Sequence, residues 1–223
     1  NGAFYKCNGL KTIQYKAVNC ADMETPHGVC YPFQQCDNLR TVVVGNDVKR
    51  IPSYLFCLSK IAEVTMGNNV TEIGAYAFAQ CESLYNIKLS KALTTIQYNA
   101  FAECTGLTTI VVPDNTTTIG SRAFYKCKGL YDVTIGSGVK DIYQSAFEGC
   151  TGLKNLTIVD SDSTLYIDAI SYAAFGGPGQ GMFSQAPLET IYLGRNVTYR
   201  TDGGYSPFYN RTERTSFTIS DKV

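Results

Sequence analysis

The sequence predicts an α/β repeat protein, a solenoid of about nine units of about 23 residues each. The first observation is a motif, Ala-Phe-x-x-Cys-x-x-Leu, that recurs along the chain. The second is its period: between residues 73 and 158 the phenylalanines fall 23 positions apart, at Phe78, Phe101, Phe124 and Phe147. The third is the alternation after each leucine, as in Ile110-x-Val112, which predicts a short strand with both side chains pointing inward.

Each unit is expected to contribute one short strand, because a single unit cannot bury its apolar side chains without a neighbour. The strands should pair in parallel, about 4.8 Å apart. On the convex side, the spacing of the motif predicts short helical, 3₁₀ or extended segments. Turn residues such as Pro113-Asp114-Asn115 mark the end of each strand.

The nine units form a single predicted domain over residues 1–223. Two interruptions depart from the repeat, at residues 14–31 and 159–182. The ninth unit is imperfect, because Arg214 stands where a leucine is expected. Outside the regular array, the units are identified by Phe4, Phe33, Phe56, Phe183 and Phe208.

Composition argues against two classes of partner. Lys+Arg and Asp+Glu both number 19, so the net charge is zero with histidine neutral, whereas a nucleic-acid binder needs a basic face. The longest apolar runs, such as Ile110-Val111-Val112, are too short to span a bilayer. Because the chain starts inside a repeat and without methionine, we expect an export signal or anchor outside these residues. Further domains or repeats outside them are compatible with the same observation.

The repeat unit Ala77-Phe78-x-x-Cys81-x-x-Leu84-x-x-Ile87 resembles the BspA-like leucine-rich repeat of secreted and surface proteins from gut and oral anaerobic bacteria. The resemblance covers nearly all of the chain apart from the two interruptions. It implies a leucine-rich-repeat solenoid, an extracellular or cell-surface location, and adhesion to host proteins, other cells or matrix. It implies no catalytic or ligand-binding residues that could be carried over.

Six cysteines occupy one position of the repeat, and three interpretations are open. A metal cluster would need thiolates that converge on one point, whereas a solenoid spreads them along its axis. A disulfide ladder is conceivable, since neighbouring repeats bring Cα atoms to about 5 Å. Ser59 and Ala186 at the same position favour the third interpretation, a column of small buried side chains. The six are Cys7, Cys36, Cys81, Cys104, Cys127 and Cys150. Cys20 and Cys30 lie off the repeat, and a disulfide between them is left open.

The residues that could take part in catalysis or bind a metal or a phosphate do not form a recognised active-site pattern. The only histidine, His27, lies in the first interruption, where we expect it to be solvated. The stretch 176–181 is rich in glycine but lacks the Lys-Ser/Thr of a phosphate-binding loop, and residues 160–163 lack the glycine and glutamate of a calcium loop. On the outward strand face only Glu63 and Asp132 are acidic, roughly 14 Å apart, beyond the roughly 5–9.5 Å of a glycosidase pair. We therefore predict no catalytic, cofactor-binding or metal-binding residues and no enzyme.

The outward residues of the strands form the candidate binding face, although threonine is also simply a good residue for an exposed strand. We predict a non-catalytic module that recognises a protein or a glycan. The alternatives are a structural spacer in a larger surface protein and, more remotely, a glycan-active enzyme. The predicted face comprises Glu63, Thr65, Asn86, Lys88, Thr109, Asp132, Thr134, Asn155, Thr157, Thr190 and Tyr192.

Overall fold

The chain folds as a parallel β-solenoid, seen in a computed structural model that describes residues 3–23, 31–168, 182–199, 206–208, 216–221 and 223. Longer strands form what we call the front face: β1 (Thr12–Tyr15), β2 (Thr41–Val44), β4 (Glu63–Thr65), β6 (Asn86–Lys88), β8 (Thr109–Val112), β10 (Asp132–Ile135), β12 (Asn155–Ile158), β14 (Thr190–Leu193) and β16 (Ser216–Ile219). Shorter strands form the side face: β3 (Arg50–Ile51), β5 (Glu72–Ile73), β7 (Thr95–Ile96), β9 (Thr118–Ile119), β11 (Asp141–Ile142), β13 (Leu165–Ile167) and β15 (Val197–Tyr199).

The two faces alternate along the chain, so that one strand of each makes a turn of the solenoid. Strands β3 to β15 of the side face form one seven-stranded parallel sheet. The front face is divided into a four-stranded sheet, β1-β2-β4-β6, and a five-stranded sheet, β8-β10-β12-β14-β16. Among the described residues β1 and β16 have no strand of the side face to complete their turns, which leaves about seven turns. The count of nine units is therefore corrected.

The third side of each turn, which we call the turn face, carries the phenylalanine and contains no helix within the described residues. Tyr76 and Gln80, two positions before and after Phe78, have φ angles of 57° and 58°. A left-handed residue cannot continue a right-handed helix. The N–H groups of Tyr76, Phe78 and Gln80 instead donate to carbonyls of the following turn, at 3.0, 2.9 and 2.7 Å. The helical prediction was wrong because these donors bond between turns.

The core is a column of phenylalanine rings, one in each turn. Phe78 and Phe101 are fully buried, and their ring centroids lie 5.3 Å apart with planes only 1° from parallel. Phe147 and Phe183 stack at 5.5 Å, so the column continues across the second interruption. Inward strand residues such as Ile110 surround the column. Each ring therefore depends on both neighbouring turns for its burial.

The cysteine column confirms the packing interpretation and adds a hydrogen bond that the sequence did not predict. Cys81, Cys104, Cys127 and Cys150 are fully buried free thiols. Each thiol donates to the phenylalanine carbonyl of the preceding turn, at 3.0–3.1 Å; Cys104, for example, bonds to Phe78. Burial raises the pKa of the Cys81 thiol to about 11 and that of Cys127 to about 12, which keeps both protonated as donors.

The first interruption is attached to the side face through one ion-pair cluster. Arg50 donates from Nη2 to Asp22, with a shortest distance of 2.7 Å, and from Nε to Glu72, also at 2.7 Å. The Ser53 N–H donates to Asp22 Oδ1 at 2.6 Å. Cys20 is half-buried against the core. His27 and Cys30 lie outside the described residues, so the solvated histidine stays a prediction. The thiol of Cys20 is free, so the disulfide left open between Cys20 and Cys30 is not formed.

The second interruption contributes its first part to the solenoid, since residues 165–167 form β13, which pairs with β11 and β15. Arg195 anchors this region from a fully buried position. Its guanidinium donates to the carbonyls of Ser137 at 2.7 Å and Gly136 at 3.0 Å, and to Ser163 Oγ at 3.3 Å. Burial lowers the pKa of Arg195. Within the described residues Arg195 Nε has no hydrogen-bond partner.

A matched pair of substitutions at Cys104 tests the thiol hydrogen bond. Cys104→Ser keeps a donor for the Phe78 carbonyl, whereas Cys104→Ala removes it. We expect the serine variant to be more stable by about 1 kcal/mol, the net value of one hydrogen bond. Urea unfolding measures this difference. A column that needed only small apolar side chains would give the opposite order, since burying a hydroxyl without a bond is unfavourable.

Acid should weaken the attachment of the first interruption. The hydrogen bond from Arg50 holds the pKa of Asp22 below its ordinary value of 3.8. Because the folded pKa is lowered, the stabilisation is complete above the unfolded pKa and is lost as pH falls through the folded one. We expect Asp22→Asn to destabilise the protein at pH 7 and to lose this effect towards pH 2, with Asp37→Asn as control. A difference that stays constant over that range, measured by urea unfolding, would contradict the assignment.

Candidate functional site

All eleven predicted residues lie on front-face strands, between β4 and β14. Parallel pairing in register aligns their side chains in two rows, within β4 and β6 and again within β8 to β14. None of these side chains is fully buried. The first row contains Glu63, Asn86, Thr109, Asp132, Asn155 and Thr190. The second row contains Thr65, Lys88, Thr134, Thr157 and Tyr192. The structure thus aligns the predicted face, and its role in binding stays a prediction.

The two acidic residues of this face are separated, as their sequence positions indicate. Glu63 lies on β4 and Asp132 on β10, with β6 and β8 between them, roughly 14 Å at the usual strand spacing. Glu63 accepts a hydrogen bond from the Tyr85 hydroxyl. Asp132 Oδ1 accepts one from Asn155 Nδ2 at 2.5 Å. Each carboxylate is therefore held by a neutral neighbour and not by the other.

The part of the face beyond β10 is engaged in contacts of its own. Thr190 donates to Asn155 Oδ1 at 2.6 Å, which extends the hydrogen bond between Asn155 and Asp132 into a chain across three strands. The Tyr192 hydroxyl donates to Asp160 Oδ1 at 2.6 Å, which raises the pKa of Tyr192. These polar groups already have partners, and a ligand would have to displace them.

The front face opens between β6 and β8, where the two sheets meet without pairing. At the equivalent point of the next pair, the Asp132 N–H donates to the Thr108 carbonyl at 3.2 Å. Among the described residues the corresponding bond, from the Thr109 N–H to the Tyr85 carbonyl, is missing. The two strands are therefore adjacent but not joined, and we call this break the seam.

Pro113 directly follows β8 at the seam. At its place in three other turns, the N–H groups of Gly45, Val159 and Gly194 donate to the preceding turn at 2.8, 3.0 and 2.8 Å. Proline has no N–H and cannot make this bond. Val159 shows that a side chain at this position is compatible with pairing. In the described part of the chain, Gly67, Ser90 and Gly136 also lack this bond at the same position, and their strands still pair with the preceding ones. The missing N–H of Pro113 therefore does not account for the seam by itself.

A cleft of about 680 Å³ lies at the seam. Its polar rim includes three of the predicted residues, Asn86, Lys88 and Thr109. In the described part of the chain, none of these three side chains has a hydrogen bond or ion pair. The remaining lining residues are Ile87, Leu89, Lys91, Val111, Pro113, Asp114 and Asn115. Sequence reasoning missed the cleft, because no departure from the repeat marks it.

A second concavity, of about 270 Å³, lies on the turn face and was also missed. Its floor consists of the small buried residues Cys57, Ala79 and Ala102. Burial raises the pKa of the Cys57 thiol to about 12, so this cysteine is a poor nucleophile. The aromatic residues around it are Tyr31, Tyr76, Tyr98 and Tyr125. Tyr54 and Tyr76, each two positions before a phenylalanine, were the recurrent signal in the sequence.

One protein-family profile matches this chain. The profile of the BspA type leucine-rich repeat region matches the chain in six copies, over residues 1–104, 29–154 and 132–223. None of the curated proteins matches the chain. Within the described residues no helix is long and apolar enough to cross a membrane.

Solved structures with the same fold come from several bacteria. The T. pallidum leucine-rich repeat protein shares 23% identity, with 71% of this chain and 72% of that chain covered and a TM-score of 0.57. Pneumococcal vaccine antigen PcpA shares 22%, with 86% and 44% covered and a TM-score of 0.56. A leucine-rich cell surface protein from Faecalibacterium prausnitzii shares 24%, with 66% and 47% covered and a TM-score of 0.50.

This chain spans less than half the length of the pneumococcal and Faecalibacterium proteins. At these identities the similarity establishes the fold, and the family follows from the profile that matches the chain along its whole length. The turns, the phenylalanine column and the parallel strands described above are the structural form of that repeat. The chain therefore belongs to the BspA-type leucine-rich repeat family.

Proposed function

We propose that the chain is a non-catalytic recognition module of a bacterial surface protein and that its front face binds a protein partner. The observation that carries this proposal is the seam, where an open cleft interrupts an otherwise continuous face. Solenoids generally meet their partners through such extended surfaces. A cleft within the surface adds the concave shape in which binding energy is usually concentrated.

The location at the cell surface is part of the same proposal. The Faecalibacterium relative is described as a cell surface protein and the pneumococcal one as a vaccine antigen. A zero net charge and the polar rows of the front face are compatible with recognition in an extracellular medium. The chemistry of the face favours recognition over catalysis, because Glu63 and Asp132 are roughly 14 Å apart and each bonds to a neutral neighbour.

The test is a binding screen of the intact chain against a panel of extracellular-matrix proteins and glycans, by biolayer interferometry. Thr65→Arg and Thr134→Arg place bulky side chains on β4 and β10, on either side of the seam. We expect saturable binding to a protein of the panel and a loss of about tenfold or more in affinity for the double variant. The matched control is Thr95→Arg with Thr118→Arg, on strands β7 and β9 of the side face.

Three results would contradict the proposal. Absence of any saturable signal would favour a spacer that only holds other domains apart. Equal effects of the front-face and side-face variants would remove the front face as the binding surface. Turnover of a glycan that is abolished by changing a single polar residue would favour an enzyme.

A further inference from the structure

The seam leaves backbone groups of two neighbouring strands without their usual partners. In the other front-face pairs an N–H at the start of one strand donates to the carbonyl before the preceding strand, as Asp132 does to Thr108. At the seam, Thr109 and Tyr85 do not form this bond within the described residues. Unpaired strand groups that face a cleft are the elements that bind extended peptides, because main-chain hydrogen bonds supply affinity for any sequence.

The cleft also presents an apolar strip beside these groups. Val111 is 64% exposed, although it lies in the middle of strand β8. Ile87, Leu89 and Pro113 line the cleft next to it. In β6 the central residue Ile87 is only half-buried, whereas its counterparts Val64 and Ile110 are buried in the neighbouring strands. Ile87 is thus more exposed than its counterparts, and together with the outward-facing Val111 it gives the cleft an apolar surface.

The charge at the cleft is positive. Lys88 and Lys91 both line it, and neither forms an ion pair in the described parts of the chain. The acidic residue of the lining, Asp114, accepts a hydrogen bond from the Ser137 N–H at 2.9 Å. By contrast, Lys154 on the same side of the molecule is paired with Glu189 at 2.6 Å. An occupant that carries carboxylates would therefore supply the partners that the two lysines lack.

We propose that the seam cleft binds an extended, acidic peptide segment of a partner protein, with carboxylates on Lys88 and Lys91 and apolar side chains on Val111 and Ile87. This inference rests on the proposed recognition function and specifies its ligand. An extended chain places successive side chains on opposite sides, so a segment of alternating acidic and apolar residues meets the lysines and the apolar strip together. The length of β8, four residues, corresponds to roughly 13 Å of extended peptide.

The probe is a fluorescein-labelled peptide of six alternating aspartates and valines, titrated with the intact chain and followed by fluorescence anisotropy. The same peptide with lysine in place of aspartate is the charge-reversed control. We expect saturable binding of the acidic peptide alone, and weaker binding at 0.5 M than at about 0.05 M salt because exposed charges are screened. Failure of the acidic peptide to bind, or equal binding of both peptides, would overturn the inference.

Two variants separate the contribution of charge from that of apolar contact. Lys88→Gln with Lys91→Gln removes both charges and should weaken the acidic peptide about tenfold. Val111→Thr keeps the charges but replaces the exposed apolar side chain with threonine, which stands at the paired position of β10 as Thr134, so it should weaken the peptide severalfold. The matched control for charge, Lys128→Gln with Lys140→Gln, removes two exposed lysines outside the cleft and should change nothing.

Circular dichroism and thermal melting establish that each variant is folded before its affinity is compared. Peptide binding that is unchanged in both seam variants would overturn the inference, as would heparin binding that depends on the seam while the peptide does not bind. The proposed function would survive either result if the matrix panel still showed saturable binding through the front face. Loss of that panel binding, by contrast, would count against the front face itself.

Discussion

The structure depends on hydrogen bonds and ring stacking between successive turns. An isolated turn of this length can neither pair its backbone hydrogen-bonding groups nor bury its apolar side chains. The N–H groups around Phe78 donate to the next turn, its ring stacks on Phe101, and the Cys104 thiol returns to its carbonyl. Three kinds of contact therefore join the same two turns. Stability in such an array is set by interfaces between neighbours, so a local change is felt mainly one turn away.

In a solenoid of this kind, few positions can depart from the repeat without weakening the contacts between neighbouring turns. The seam is such a place, since the front face opens while β7 and β9 remain paired on the side face. The phenylalanine column also continues through this turn, with Phe101 and Phe124 at 5.3 Å. Core and side face thus hold the turn together, and the front face can present a cleft at little cost to the rest of the solenoid.

The sequence predicted the parallel strands, the inward residues and the buried cysteines because each follows from a repeated side chain in a repeated environment. The prediction of helical segments on the turn face was wrong. A helix and a series of tight turns with left-handed residues, such as Gln80, place the same side chains inward, so the spacing of apolar residues does not distinguish them. Buried Arg195 was missed because its acceptors come from the turn at 136–137, far away in sequence. The seam was missed because Ile87 and Ile110 on either side of it both follow the repeat, so no periodic signal in the sequence marks the break.

The most direct test of this account is amide hydrogen exchange at Thr109 compared with Asp132. The two residues occupy the same position in neighbouring strands, and the Asp132 N–H bonds to the preceding turn while the Thr109 N–H does not. We expect Asp132 to be protected and Thr109 to exchange at a rate close to that of an unstructured amide. Equal protection of the two amides would show that β6 and β8 are paired, and would contradict the seam.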